Sequence, residues 1–171
     1  MRTPFVEVRG SALLKAPLRL QGEYRRPDAA TLVREVRSPY PETTTIRAGE
    51  VAIARNGGRA RSFSLSRAPE LAGLQASFGA LLSGDRALLE KHYRIAADGS
   101  RQHWTLTLVP KDAQLAAKVR DIVLRGRGAE LRCIETRPAK GELQRTLLAG
   151  AARAALDVTE GAELAALCRG E

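Results

Sequence analysis

The sequence is poor in the groups that catalytic chemistry most often uses. It contains two histidines, His92 and His103, and neither pairs with a second ligand at zinc spacing. No serine stands on a G-x-S-x-G elbow, which excludes the usual arrangement for nucleophilic hydrolysis. Asp98, Asp112 and Asp121 fall at three separate places along the chain and form no paired-carboxylate pattern. Gly126-Arg127-Gly128 resembles a fragment of a phosphate loop, but it lies between two strand-like runs and reads as a hairpin turn. The expectation is a protein that is not an enzyme and needs neither metal nor cofactor.

Other shortages narrow the choice further. Aromatic residues make up only 4% of the chain, so the stacking platforms of single-stranded nucleic-acid binders are hard to assemble. No stretch approaches the roughly 20 apolar residues that a membrane-crossing helix requires. The opening residues Met1-Arg2-Thr3 show no secretory signal and run straight into a strand-like segment. We read this as a start placed after a removed leader. Two cysteines, Cys133 and Cys168, allow one disulfide but fix neither its formation nor the compartment.

What the chain does have is positive charge. Against 19 Asp and Glu stand 28 Lys and Arg, giving a formal net charge of +9. A field of that sign favours acidic partners. The excess is mostly arginine, set singly on the polar parity of strand-like runs, and Arg25-Arg26 is the sole adjacent basic pair. A solvated basic surface follows more readily than nucleic-acid binding. Hydrophobic residues at 44% and charged residues at 27% are ordinary for a globular domain. A chain of 171 residues reads as one domain able to bury a substantial core.

Period-2 alternation dominates the first two-thirds. In Phe5–Lys15 the even positions Val6, Val8, Gly10, Ala12 and Leu14 are apolar or small, with Glu7 and Arg9 between them. In LRLQGEYRRP, Leu18, Leu20, Gly22 and Tyr24 share a parity with Arg26, which places a guanidinium on the side expected to be buried. Further strands are expected at 31–38, 43–47, 50–55 and 59–67, the last carrying Phe63 and Leu65 on one face. Asn56-Gly57-Gly58 signals a tight hairpin, because these residues accept positive φ.

At Pro69 the period becomes helical, with Leu71, Leu74, Phe78, Leu81 and Leu82 on one stripe. Asp85 caps a second short helix over 86–91. Strands resume at 92–97 and 102–109, where Trp104, Leu106 and Leu108 share a face. A hairpin over 119–137 and a last strand at 143–148 follow, and residues 151–168 read as a helix or frayed tail. Ten or eleven strands in meander order should curl towards a barrel. The helical pair would cover its greasy concave side, enclosing an apolar cavity.

Three segments carry a family resemblance: FVEVRGSALLKAPLRLQGEYRRPD, APELAGLQASFGALLSGDRALLEKHY and HWTLTLVPKDAQLAAKVRDIVLRG. In their order, about residues 5–148 resemble the LolA-like outer-membrane lipoprotein carriers, with the closest likeness to a divergent branch. The resemblance implies a mainly β fold, an incomplete antiparallel β-barrel over residues 1–150 with a helical lid inserted at about 69–91. Residues 151–171 would form a C-terminal helix or flexible tail.

It also implies a monomeric periplasmic carrier that takes acyl chains of a lipoprotein or lipid. An inner-membrane donor complex would load it and an outer-membrane acceptor would receive the cargo. The family's basic-Arg-Pro strand end matches Arg26, which would hold the lid closed through hydrogen bonds. The cavity would be lined by Leu18, Leu20, Tyr24, Phe63, Leu65, Leu71, Leu74, Phe78, Leu81, Trp104, Leu106 and Leu108.

Plainer alternatives accompany each assignment. Arg26 could turn into solvent, the helix could pack permanently on a filled core, and Trp104, Leu106 and Leu108 could be core rather than cavity wall. The whole could be a non-carrier interaction or sensor module, or a basic nucleic-acid binder.

Overall fold

The structure is a computed structural model that describes residues 1–10, 15–67 and 86–171. Eleven strands form one antiparallel sheet that does not close into a barrel. They are β1 (Arg2–Arg9), β2 (Leu18–Asp28), β3 (Thr31–Ser38), β4 (Glu42–Arg47), β5 (Glu50–Arg55) and β6 (Arg61–Ser64), then β7 (Tyr93–Gly99), β8 (Trp104–Pro110), β9 (Val119–Arg127), β10 (Glu130–Pro138) and β11 (Gln144–Leu148). Four helices are described: α1 (Arg86–His92), α2 (Ala113–Ala116), α3 (Ala149–Ala154) and α4 (Gly161–Arg169).

The spatial order is β6-β5-β4-β3-β2-β1-β11-β10-β9-β8-β7. A simple meander would leave β1 and β11 at the edges. Here they pair at the centre, Val6 opposite Leu147, and β6 and β7 become the edges. The connection from Ser64 to Tyr93 is far longer than a hairpin loop, so β6 and β7 are not held together by a turn. The expected helix at 69–82 falls within this connection and outside the described residues.

Turn chemistry places most of the hairpins. Asn56 and Gly57 have φ of 50° and 69°, the double positive φ of a two-residue hairpin turn. At the other end of the β-ribbon, β6 stops after Ser64 because its partner does. Ser64 opposes Glu50, the first residue of β5, and the next backbone bond, Leu65 N–H to Gly49 O at 2.8 Å, meets the β4–β5 turn. Leu65 therefore begins a 3₁₀ turn over Leu65–Arg67 instead of continuing the expected strand.

Two buried clusters define the two faces. The larger draws Phe5, Leu20, Tyr24, Leu32 and Val36 from one half of the sheet and Tyr93, Leu108, Leu124 and Ile134 from the other. Strands so far apart in the order share one cluster only because the sheet curls around it, and this side is the inner face. The smaller cluster lies on the outer face, where Val6 and Leu147 pack against Ala151, Ala152 and Ala155, with Leu164. Small side chains on α3 let that helix approach the sheet closely. A disulfide between Cys133 of β10 and Cys168 of α4 fastens the second helix to the same face.

β1 departs from the simple alternation. The strand ends at Arg9, and Ala12 and Leu14 lie outside the described residues. Its even residues Val6 and Val8 do pack, but outward, beneath the C-terminal helices. Phe5 and Glu7 point inward, and Glu7 is only 2% exposed. A central strand covered on both sides no longer advertises its inner face through polarity.

Candidate functional site

Directly opposed residues in an antiparallel ladder share a face. The register runs from Leu32 to Ile46, then to Val51 and on to Phe63, which carries the inner face outward to the β6 edge. On the other half it runs from Ile134 to Leu124 to Leu106. The structure thus brings Leu18, Leu20, Tyr24, Phe63, Trp104, Leu106 and Leu108 to one side of the sheet. Leu20, Tyr24 and Leu108 are buried in the large cluster, while Leu18, Trp104 and Leu106 pack against it half-buried. Phe63 and Leu65 are half-buried. Leu71, Leu74, Phe78 and Leu81 lie outside the described residues.

Trp104 is held rather than free. Its Nε1–H donates to Gly128 O at 2.9 Å. A Cβ at Gly126 would stand 1.9 Å from the indole Cζ2, so the ring lies where only glycine leaves room. Gly22 plays the same part on β2, where a Cβ would come within 1.9 Å of Glu35 O and 2.9 Å of the Phe5 ring.

Arg26 sits half-buried near the end of β2, where the register shifts between Arg25 and Asp28. Pro27 has no N–H to give to the ladder, which accounts for a bulge at this point. The Arg26 Nη2 donates to Ala29 O at 2.7 Å, within its own hairpin. Residues 69–82, the expected lid, are outside the described residues, so the lid contact stays an expectation.

The arginine that gathers several helix-end carbonyls among the described residues is Arg19, on the outer face. Its Nη1 donates to Val158 O at 2.6 Å, and its Nη2 to Ala155 O at 2.5 Å and Leu156 O at 3.1 Å. A planar guanidinium suits this work because its donors fan out in a fixed fork. It ties the link between α3 and α4 to β2. Sequence parity put Arg19 on the wetted side of its strand and gave no hint of a partner more than a hundred residues away.

The inner face also carries a row of charges. Arg9 Nε lies 2.5 Å from Glu7 Oε1, and Arg34 Nη2 lies 3.1 Å from Glu7 Oε2. Arg34 Nη1 reaches Glu42 at 3.7 Å, and Arg55 Nε meets Glu42 at 2.5 Å. Arg34 is 8% exposed and stands over the Phe5 ring, 4.9 Å from its centroid. Burial alone would lower its pKa, but Glu7 and Tyr24 outweigh burial and hold it above its ordinary value. Burial, reinforced by the Glu7 charge, pushes the Tyr24 phenol up to about 12. The signal for Arg34 was present in β3, where it shares a parity with Leu32 and Val36.

This row leads to an open cavity of about 520 Å³ at the β5–β6 edge. Among the described residues, Ile53 and Phe63 supply its apolar wall, and Arg55, Arg59, Arg61 and Ser62 also line it. The register places Ile53 opposite Arg61 and Val51 opposite Phe63, so the arginine and the apolar groups face the same side. A volume between roughly 300 and 1,000 Å³ is typical of small-molecule sites.

The LolA superfamily protein NE2245 from Nitrosomonas europaea is 8% identical, with a TM-score of 0.41 over 86% of this chain and 82% of its own. LprF from Mycobacterium bovis is 14% identical, with a TM-score of 0.35 over 87% of this chain and 84% of its own. No curated protein matches the sequence. The family model for LolA-like outer membrane lipoprotein carrier proteins matches residues 1–171. The chain belongs to the LolA-like family.

Proposed function

We propose that the protein binds the acyl chains of a lipoprotein or lipid on the inner face of its open sheet and delivers them towards the outer membrane. One observation carries the reading: an apolar inner face continues, strand by strand, into an open cavity whose described lining includes Ile53 and Phe63. Family membership supports lipid or lipoprotein binding in particular. The Cys133–Cys168 disulfide supports an oxidising compartment such as the periplasm. An inner-membrane donor and an outer-membrane acceptor are the partners this route requires.

The energetics suit a reversible carrier. Each acyl CH₂ moved out of water contributes roughly 0.8 kcal/mol, and a hydrogen bond given up on loading costs about 1 kcal/mol. A few methylenes would therefore offset the loss of the one or two hydrogen bonds that this reading assigns to Arg26 in the empty state. Mass spectrometry of lipids extracted from the purified protein tests the reading directly, with acylated species expected in stoichiometric amount. Arg26→Leu is expected to retain lipid and slow its transfer to acceptor membranes. Wild-type uptake and transfer in that variant would remove Arg26 from the mechanism.

A second reading has its own observation. Leu20, Leu108 and Leu124 are at most 2% exposed, so much of the inner face is filled by the protein's own side chains. This favours a non-carrier interaction or sensor module. Protein purified without lipid, and unable to take any up, would support it.

A further inference from the structure

We propose that the cavity at the β5–β6 edge is a headgroup subsite, selecting cargo whose polar end carries a phosphate with no cation of its own, so that the headgroup is net negative. The inference rests on the lipid-binding reading above and specifies which lipids the site prefers.

Three observations lead to it. First, charge is concentrated where the fold is open. Between residues 47 and 67 there are five arginines, Arg47, Arg55, Arg59, Arg61 and Arg67, against one acid, Glu50. The β5–β6 hairpin gathers Arg55, Arg59 and Arg61 around a single cavity.

Second, the three cations are not equivalent. Arg55 is committed to Glu42, and its guanidinium also rests over the Tyr40 ring, 5.5 Å from the centroid. Arg59 and Arg61 have no acidic partner within ion-pair distance among the described residues, and both are exposed. Two guanidiniums with no counter-ion among the described residues, beside a fixed third, form a site that is complementary to an anion. Planar forks of N–H donors match phosphate oxygens in pairs.

Third, the cations share their cavity with Ile53 and Phe63. A simple anion site has no use for an apolar wall, and a simple acyl site has no use for arginines. An amphiphile whose charged end meets Arg59 and Arg61 while its chain lies on Phe63 uses both. Phe63 opposes Val51, which is fully buried, so the chain would continue from the rim towards the interior.

The test uses delipidated full-length protein and short-chain lipids kept below their micelle concentration, so that no membrane surface takes part. Dihexanoyl phosphatidylglycerol, dihexanoyl phosphatidylcholine and inorganic phosphate are titrated by calorimetry into wild type and into an R59A/R61A variant. Wild type is expected to favour phosphatidylglycerol by roughly tenfold or more, a preference that shrinks with added salt.

The double variant is expected to bind the two lipids alike, with an unchanged circular dichroism spectrum because both arginines are exposed. Equal affinity for the two lipids in wild type, or a preference that survives in the variant, overturns the headgroup subsite while leaving lipid binding intact. Binding of neither lipid overturns lipid binding itself. Inorganic phosphate competing as strongly as phosphatidylglycerol shows a free-anion site and overturns the lipid assignment.

Discussion

Tyr24, Glu7 and Arg34 form a buried polar knot within the inner face. A phenol held at about 12 in the folded protein and near 10 in the unfolded chain keeps its proton better when folded. Stability from this source is complete below about pH 10 and is lost as pH rises towards 12. Denaturant midpoints measured from pH 9 to 12 should therefore fall, and Tyr24→Phe should flatten that slope relative to wild type. Gly22 offers a steric test on the same strand. Gly22→Ala drives a methyl against Glu35 O, a backbone atom that cannot swing aside, and should cost about 2 kcal/mol or more in urea unfolding. The knot was only half legible in the sequence. Arg34 could be placed by the parity it shares with Leu32 and Val36, whereas Glu7 looked solvent-facing because Val6 and Val8 claimed the buried parity.

At the level of elements, strand positions were legible because turn residues with positive φ punctuate them and alternation fills the spaces between. The strand β6 is shorter than the expected 59–67, since local alternation shows where β5 begins but not the register that sets Ser64 opposite Glu50. The C-terminal helices could be anticipated from their Ala and Leu content, but not the side of the sheet they would cover. That depends on Arg19, Cys133 and Val6, each remote in sequence. Arg19→Ala removes three bonds from the α3–α4 link and should cost about 1.5–3 kcal/mol. Amide exchange should accelerate across residues 149–169 before the sheet is affected. Unaltered exchange there would mean that packing alone seats these helices.

For the molecule as a whole, the disulfide closes a loop of 35 residues that runs from β10 through β11 and α3 to α4. In the loop-entropy picture such a bridge contributes about 3–4 kcal/mol. The Cys133→Ser/Cys168→Ser variant should lose about that much in denaturant unfolding, and reductant should reproduce the loss in wild type. The sheet's seam has a different consequence. The ribbons β1 to β6 and β7 to β11 can zip through neighbouring hairpins, whereas the seam between β1 and β11 is the most distant strand pairing among the described residues. A chain still emerging from the ribosome therefore holds two separate ribbons, and one rim of its opening strand stays bare until residues 144–148 arrive. The molecule becomes continuous only when its last strand docks beside its first.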